Sequence, residues 1–180
     1  MEISQRTRQV QVFWKGCRVF HRDLYNLRDL RELRLNGNKF TYIPRKLGNT
    51  VALQQSLRVV SLCACGIEAI PQSFGQLRAV QELNLASNKL KYLPDTFCQL
   101  RNLETLYITA NWLRRLPEEF GNLDKLTRLD LANNELTELP TSVCRMVKLK
   151  EVVLSKNRFE HIPDCLFQLP LLTHLTMNKC

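Results

Sequence analysis

The chain has 180 residues, of which 44% are hydrophobic and 24% charged, and its formal net charge is +9. This composition excludes a disordered polyelectrolyte, and no apolar run is long enough to form a membrane-spanning helix. The seven cysteines are an odd number without paired spacing, and the N-terminus lacks the apolar segment of a secretory signal. We therefore expect a cytoplasmic protein in a reducing compartment.

Residues 1–29 predict an irregular first structural unit. Val10 and Val12 take the positions of strand residues when the spacing of the later units is projected backward. Lys15 stands where the later units have Asn, and His21 stands where they have Pro. We expect an atypical N-terminal coil that acts as a partial cap, with a frayed tail as the alternative.

Residues 30–180 consist of repeats that open with LxxLxLxxN or a close variant. Units begin at residues 30, 57, 80, 103, 126 and 149, with a partial one at 172. The spacing is 23 residues except between the first two units, where it is 27, so four extra residues lie between Gly48 and Ser56. The partial unit has no polar capping segment after it, so its strand is expected to need a cover.

Each element of the repeat has a physical interpretation. The xxLxL stretch alternates with period two, which predicts a short strand with its leucines turned inward. One such strand cannot bury its apolar face alone, so successive units must stack into a parallel sheet over a shared core. The recurring Asn predicts a ladder of amide hydrogen bonds, and the apolar-Pro pair that follows limits the outer arc to short helical, 3₁₀ or extended segments.

This unit resembles the 23-residue repeat of the intracellular, Ras-group leucine-rich repeat proteins, which include Ras-suppressor and scribble-type scaffolds. The similarity covers residues 30–180 well and residues 7–29 weakly, and Cys65 departs from it at an Asn position. It implies an α/β fold of the leucine-rich repeat solenoid type, a right-handed coil with the parallel sheet on its concave face. It also implies a non-enzymatic scaffold or adaptor that binds a protein partner, in intracellular signalling.

The outward-pointing strand residues are the first candidate binding site. They are polar apart from one large aromatic, Tyr107, which the sequence places between Asn84 and Arg128. Tyr and Arg are the residue types that most often dominate binding energy at interfaces. The candidate protein-binding residues are Glu82, Asn84, Thr105, Tyr107, Arg128, Asp130 and Glu151.

A second candidate, here called the ridge, follows the Asn positions. Its residues are Lys89, Lys91, Trp112, Arg114 and Arg115. An exposed Trp beside two arginines could bind an anion, so binding of RNA or of an acidic membrane is the alternative function. Glu135 and Glu138 interrupt the ridge, which argues against a continuous phosphate track.

The sequence offers no catalytic, cofactor or metal site. His21-Arg22-Asp23 resembles a kinase catalytic loop, but Arg28 occupies the required Asn position. The pairs Cys63-x-Cys65 and His161-x₃-Cys165 have no matching second pair of ligands. We predict that the chain is not an enzyme, with a targeting domain of a longer enzyme as a further alternative.

Overall fold

A computed structural model describes residues 2–4, 9–11 and 16–179, with side chains from residue 16 onward. Within these ranges, nine three-residue strands form one sheet in which every strand pairs with its neighbours in chain order. The first pair is antiparallel and all later pairs are parallel, so the predicted parallel sheet is confirmed. The strands are β1 (Glu2–Ser4), β2 (Gln9–Gln11), β3 (Glu32–Arg34), β4 (Val59–Ser61), β5 (Glu82–Asn84), β6 (Thr105–Tyr107), β7 (Arg128–Asp130), β8 (Glu151–Val153) and β9 (His174–Thr176).

The central residue of each strand from β3 to β8 is fully buried in the core. Leu83 pairs in register with Leu106, and Leu106 with Leu129, and all three are fully buried. From β3 to β9, the two flanking residues of each strand lie on the side away from the core, so the equivalent positions of successive repeats form two parallel rows on the concave face. A register that is constant from repeat to repeat follows from the 23-residue spacing, because a slip of one residue would expose the leucines.

The convex side is built from five-residue helical turns, as the prolines predict. Each turn of the 23-residue units begins directly after a proline, whose fixed φ suits the start of a helix. The 3₁₀ helices are Arg22–Asn26, Gln72–Gln76, Asp95–Gln99, Glu118–Asn122, Thr141–Arg145 and Asp164–Gln168. The four extra residues lengthen this side of one coil, where two α-helices replace the 3₁₀ helix: α1 (Arg45–Asn49) and α2 (Val51–Ser56).

The asparagine ladder is confirmed. Asn111 is buried; its amide nitrogen donates to Leu85 O at 3.0 Å and Ile108 O at 3.1 Å, while its oxygen accepts from Leu90 N at 3.0 Å. Asn88, Asn134 and Asn157 repeat these bonds one coil apart. Cys65 replaces the amide donor with its thiol, which donates to Leu35 O at 3.1 Å. The ladder therefore satisfies backbone groups that the stacked coils bury.

The two ends of the solenoid are less complete than its middle. At the first end, Val10 of β2 pairs in register with Leu33, while Val12 and Lys15 lie outside the described residues, so the N-terminal cap stays a prediction. Towards the other end, Ile162 is 45% exposed although its equivalent Leu93 is buried, because the described residues that follow it leave its side chain uncovered. No helix among the described residues is both long and apolar enough to cross a membrane.

Candidate functional site

The concave face presents two rows of side chains, one from each outward position of the strands. The first row contains Glu82, Thr105, Arg128 and Glu151 in adjacent strands, and the second contains Asn84, Tyr107 and Asp130. The structure thus brings all seven candidate residues onto four neighbouring strands. Arg128 is exposed and the other six are half-buried, so a partner could reach the whole group.

Tyr107 is at the centre of this group, but its neighbours differ from those expected. Its partners in register are Asn84 and Asp130, because Arg128 belongs to the other row of side chains. Arg128 nevertheless reaches diagonally across, and its guanidinium carbon lies 5.4 Å from the centre of the Tyr107 ring. This contact is a cation–π interaction, which contributes about 0.5–1 kcal/mol at an exposed position.

An ion pair extends the cluster to the next strand. The Nη2 atom of Arg128 lies 3.0 Å from Oε1 of Glu151, and their side chains are 47% and 34% exposed. Tyr107, Arg128 and Glu151 therefore form a chain of contacts across β6, β7 and β8. The Arg128 guanidinium is held between the Tyr107 ring and the Glu151 carboxylate. Arg128 therefore loses less side-chain conformational entropy when a partner binds.

Asn84 and Asp130 have a structural role as well as an exposed surface. In each, the side-chain Oδ1 atom accepts a hydrogen bond at 3.0 Å from the backbone N–H two residues further on, that of Ala86 or Ala132. These bonds stabilise the turn that leaves the strand. The same row position in β4 is occupied by Ser61, which is buried and donates to Asn36 Oδ1 at 2.8 Å.

The ridge is less suited to binding anions than its sequence predicts. Glu135 lies 3.2 Å from Arg114 and 3.3 Å from Arg158, so one carboxylate pairs with arginines on both sides. Trp112 is 46% exposed, which makes it available to a ligand, but the neighbouring Arg114 is the one held by Glu135. The acidic residue that interrupts the ridge in sequence therefore also pairs with one of its four cations, Arg114.

A groove of about 910 Å³, which was not predicted from the sequence, lies between the ridge and the 3₁₀ helices. Three stacked prolines, Pro71, Pro94 and Pro117, contribute to its lining, together with the exposed ring of Tyr92 and with Arg115. A pocket that spans several repeats cannot be located from the pattern of any single repeat. The groove is a concave surface outside the strand face and offers a second place for a ligand.

The cysteines and the His-Arg-Asp tripeptide have structural explanations. Burial, with smaller contributions from Asp95 and Glu119, raises the pKa of the Cys98 thiol to about 11, so it is protonated at neutral pH and a poor nucleophile. His21 precedes a 3₁₀ helix, and its Nδ1 atom accepts a hydrogen bond from Asp23 N at 3.3 Å. Among the residues that the structure describes, no three His, Cys, Asp or Glu side chains are grouped to hold a metal.

Comparisons with known proteins agree on the type of repeat. The family model described as leucine-rich repeat matches residues 55–113 and 124–180, well over half of the chain. A leucine-rich repeat protein of Leptospira interrogans is similar in structure, with a TM-score of 0.83 and 30% sequence identity. So are the leucine-rich repeat domain of the type III effector XopL (TM-score 0.73, 24% identity) and InlP of Listeria monocytogenes (0.68, 25%).

These solved structures are longer than the present chain. The alignments cover 91%, 84% and 82% of this chain but only 41%, 53% and 39% of the Leptospira, XopL and Listeria chains. The chain therefore spans about half the length of these structures, or less. No curated protein matches it significantly in sequence.

Proposed function

The chain belongs to the leucine-rich repeat family, and from this premise we propose that it is a non-enzymatic scaffold or adaptor that binds a protein partner on its concave face. Leucine-rich repeat domains are in general protein-interaction modules. The fold alone does not fix the function, so the proposal depends on the site. A role in intracellular signalling is part of the proposal and derives from the similarity to Ras-group repeats.

The observation that carries the proposal is the contact chain of Tyr107, Arg128 and Glu151. It combines an aromatic ring and an arginine, the two side-chain types that most often dominate interface energies, near the centre of a continuous sheet. Glu82 and Asp130 add half-buried charged side chains in the two rows, which matches the polar rim of a protein interface. We propose that Tyr107 and Arg128 are the residues whose loss weakens binding most, and that Glu82, Asn84, Thr105, Asp130 and Glu151 surround them.

The test is a comparison of two double variants in affinity capture from cell lysate. Tyr107→Glu/Arg128→Glu alters the concave face, and Tyr92→Glu/Arg115→Glu makes the same chemical change in the groove on the other side. Both tyrosines are at the surface and outside the core, so both variants should retain the fold, which circular dichroism and thermal melting will check. The capture is made with nuclease present and at low and high salt.

The proposal predicts that a discrete set of proteins is retained by the wild type and by the groove variant but lost by the concave-face variant. Each lost protein is then produced in pure form and its binding measured directly, and a drop of at least about tenfold is expected, since hot-spot residues contribute about 2 kcal/mol or more. Retention by the concave-face variant with loss by the groove variant would transfer the binding site to the groove. Capture of nucleic acid alone, lost with salt, would contradict the scaffold function.

A further inference from the structure

The turns that precede each strand form an edge of the solenoid that is more basic than the turns on the ridge side. This surface, here called the entry edge, consists of residues 28–31, 55–58, 78–81, 101–104, 124–127, 147–150 and 170–173. It has eight basic residues: Arg28, Arg31, Arg58, Arg78, Arg101, Lys125, Lys148 and Lys150. It has three acidic residues: Asp29, Glu104 and Asp124. The corresponding turns on the ridge side, residues 39–42 to 158–161, have six basic and four acidic residues.

A continuous backbone ladder aligns these turns. The N–H of Arg58 donates to Arg31 O at 2.8 Å, that of Gln81 to Arg58 O at 2.7 Å, and the series continues through Lys150 N to Thr127 O at 2.8 Å. Adjacent coils are thus held at the strand spacing of about 4.8 Å, so the five steps from Arg31 to Lys150 extend over about 24 Å. The entry edge is therefore one ordered row of turns, and its cations are carried by neighbouring turns of that row.

The cations of the entry edge are available to a ligand. All of them are exposed except Arg58, which is half-buried and donates to Gln55 O at 2.8 Å. None of the ion pairs found among the described residues involves a cation of this edge, whereas Glu135 pairs with two arginines on the ridge. An anionic ligand therefore does not have to displace a carboxylate that is already paired with one of these cations.

We propose that the entry edge binds the surface of an anionic lipid bilayer. Two features favour a bilayer over a nucleic acid. Val147 and Leu171 are on the same edge and are 50% and 48% exposed, so they can enter the apolar boundary of the headgroup region. The edge segments contain no Trp, Tyr or Phe on which bases could stack, so a single-stranded nucleic acid would have phosphate contacts only.

A notch at one end of the edge is suited to one phosphate group. Its volume is about 270 Å³, and it is lined by Asp29, Arg31, Gln55, Ser56 and Arg58. The hydroxyl oxygen of Ser56 is buried there and, among the buried side-chain polar atoms of the described residues, is the one without a hydrogen-bond partner. Ser56 lines the notch, so rotation about χ1 can turn its hydroxyl towards a headgroup phosphate oxygen. The two guanidinium groups then neutralise the charge of the phosphate, against the opposing carboxylate of Asp29.

The test measures binding of the full chain to phosphatidylcholine vesicles with and without phosphatidylserine, by co-sedimentation. The edge variant is Arg78→Glu/Arg101→Glu/Lys148→Glu/Lys150→Glu, whose side chains make no bond that the fold uses. The matched control is Lys39→Glu/Lys89→Glu/Lys91→Glu/Arg115→Glu on the ridge side, with the same change in net charge. A third variant, Ser56→Ala, tests the notch.

The proposal predicts that wild type and control bind the anionic vesicles and not the neutral ones. The edge variant should bind at least about 100-fold more weakly, since each cation near an anionic surface contributes about a fivefold change in affinity. Ser56→Ala should bind about three- to tenfold more weakly, and unchanged affinity would overturn the assignment of the notch. Equal losses in the edge variant and the control would show diffuse charge attraction and overturn the proposal, as would binding to single-stranded RNA without binding to vesicles.

Discussion

The asparagine ladder makes a quantitative prediction at Asn111. In Asn111→Ala, Leu85 O keeps its bond from Asn88 and Ile108 O keeps its bond from Asn134, so neither carbonyl is left without a donor. The buried N–H of Leu90 loses its side-chain acceptor at 3.0 Å. One orphaned buried donor costs about 1–3 kcal/mol and each lost hydrogen bond about 1 kcal/mol, so we expect a loss of about 3–5 kcal/mol in the free energy of unfolding.

The cysteine that already occupies this position in another coil provides the comparison. A thiol at 111 can donate to Leu85 O as Cys65 donates to Leu35 O, but a sulfur atom is a weak acceptor for Leu90 N. Asn111→Cys should therefore be about 1 kcal/mol less destabilising than Asn111→Ala. Asn122→Ala, at a half-buried asparagine outside the ladder, is the control and should cost less than about 0.5 kcal/mol.

The assay is equilibrium unfolding in urea, followed by circular dichroism and by tryptophan fluorescence, with Trp112 reporting from the same coil. Coincidence of the two transitions shows that the solenoid unfolds in one step and that the free energies can be compared. A cost below about 1 kcal/mol for Asn111→Ala would refute the reasoning, because it would mean that the Leu90 N–H group finds another partner. Equal costs for the Ala and Cys variants would contradict the interpretation of Cys65 as a donor in the ladder.

Two further predictions concern close packing and thiol chemistry. Gly75→Ala should lower the melting temperature far more than Gly37→Ala, because a Cβ atom at Gly75 would be 2.0 Å from the backbone oxygen of Thr96. An alanine at position 37 has open space for its Cβ atom, but its backbone must keep a φ of +70°, which costs about 1–2 kcal/mol. Equal shifts in melting temperature would contradict this. Cys98 should react with iodoacetamide more slowly than Cys144 at neutral pH. Stability should also fall less between about pH 9 and 11 in Cys98→Ala than in the wild type, since in that range the folded wild type retains a Cys98 thiol proton that the unfolded chain has lost. Equal labelling rates, or the same pH dependence in both proteins, would contradict it.

The repeat could be predicted from the sequence because each of its positions has one environment. Leu83 and Leu106 are buried for the same reason, so the spacing between them also fixes the register of the strands. The insertion was placed between Gly48 and Ser56, but its form as two short helices divided at Thr50 depends on packing that no local pattern determines. The exposure of Ile162 likewise depends on what covers its coil, not on its place in the repeat.

The site was predicted as a set of positions but not as a set of contacts. The alternation of strand residues assigns Tyr107 and Arg128 to the concave face, yet the diagonal reach of the arginine and its pairing with Glu151 depend on rotamers. The entry edge could have been found from the sequence by comparing charges at equivalent turn positions. The ridge was predicted as the anion-binding surface, but on that side of the solenoid Glu135 pairs with Arg114 and Arg158.

The most direct test of the concave-face proposal is site-specific photo-crosslinking in cells. A photoreactive phenylalanine analogue replaces Tyr107 in one version of the chain and Tyr92 in another, so that the same chemistry samples the concave face and the groove. The account predicts a discrete crosslinked protein band from position 107, absent without irradiation and absent from position 92. A band from position 92 alone would contradict the central claim and assign protein binding to the groove.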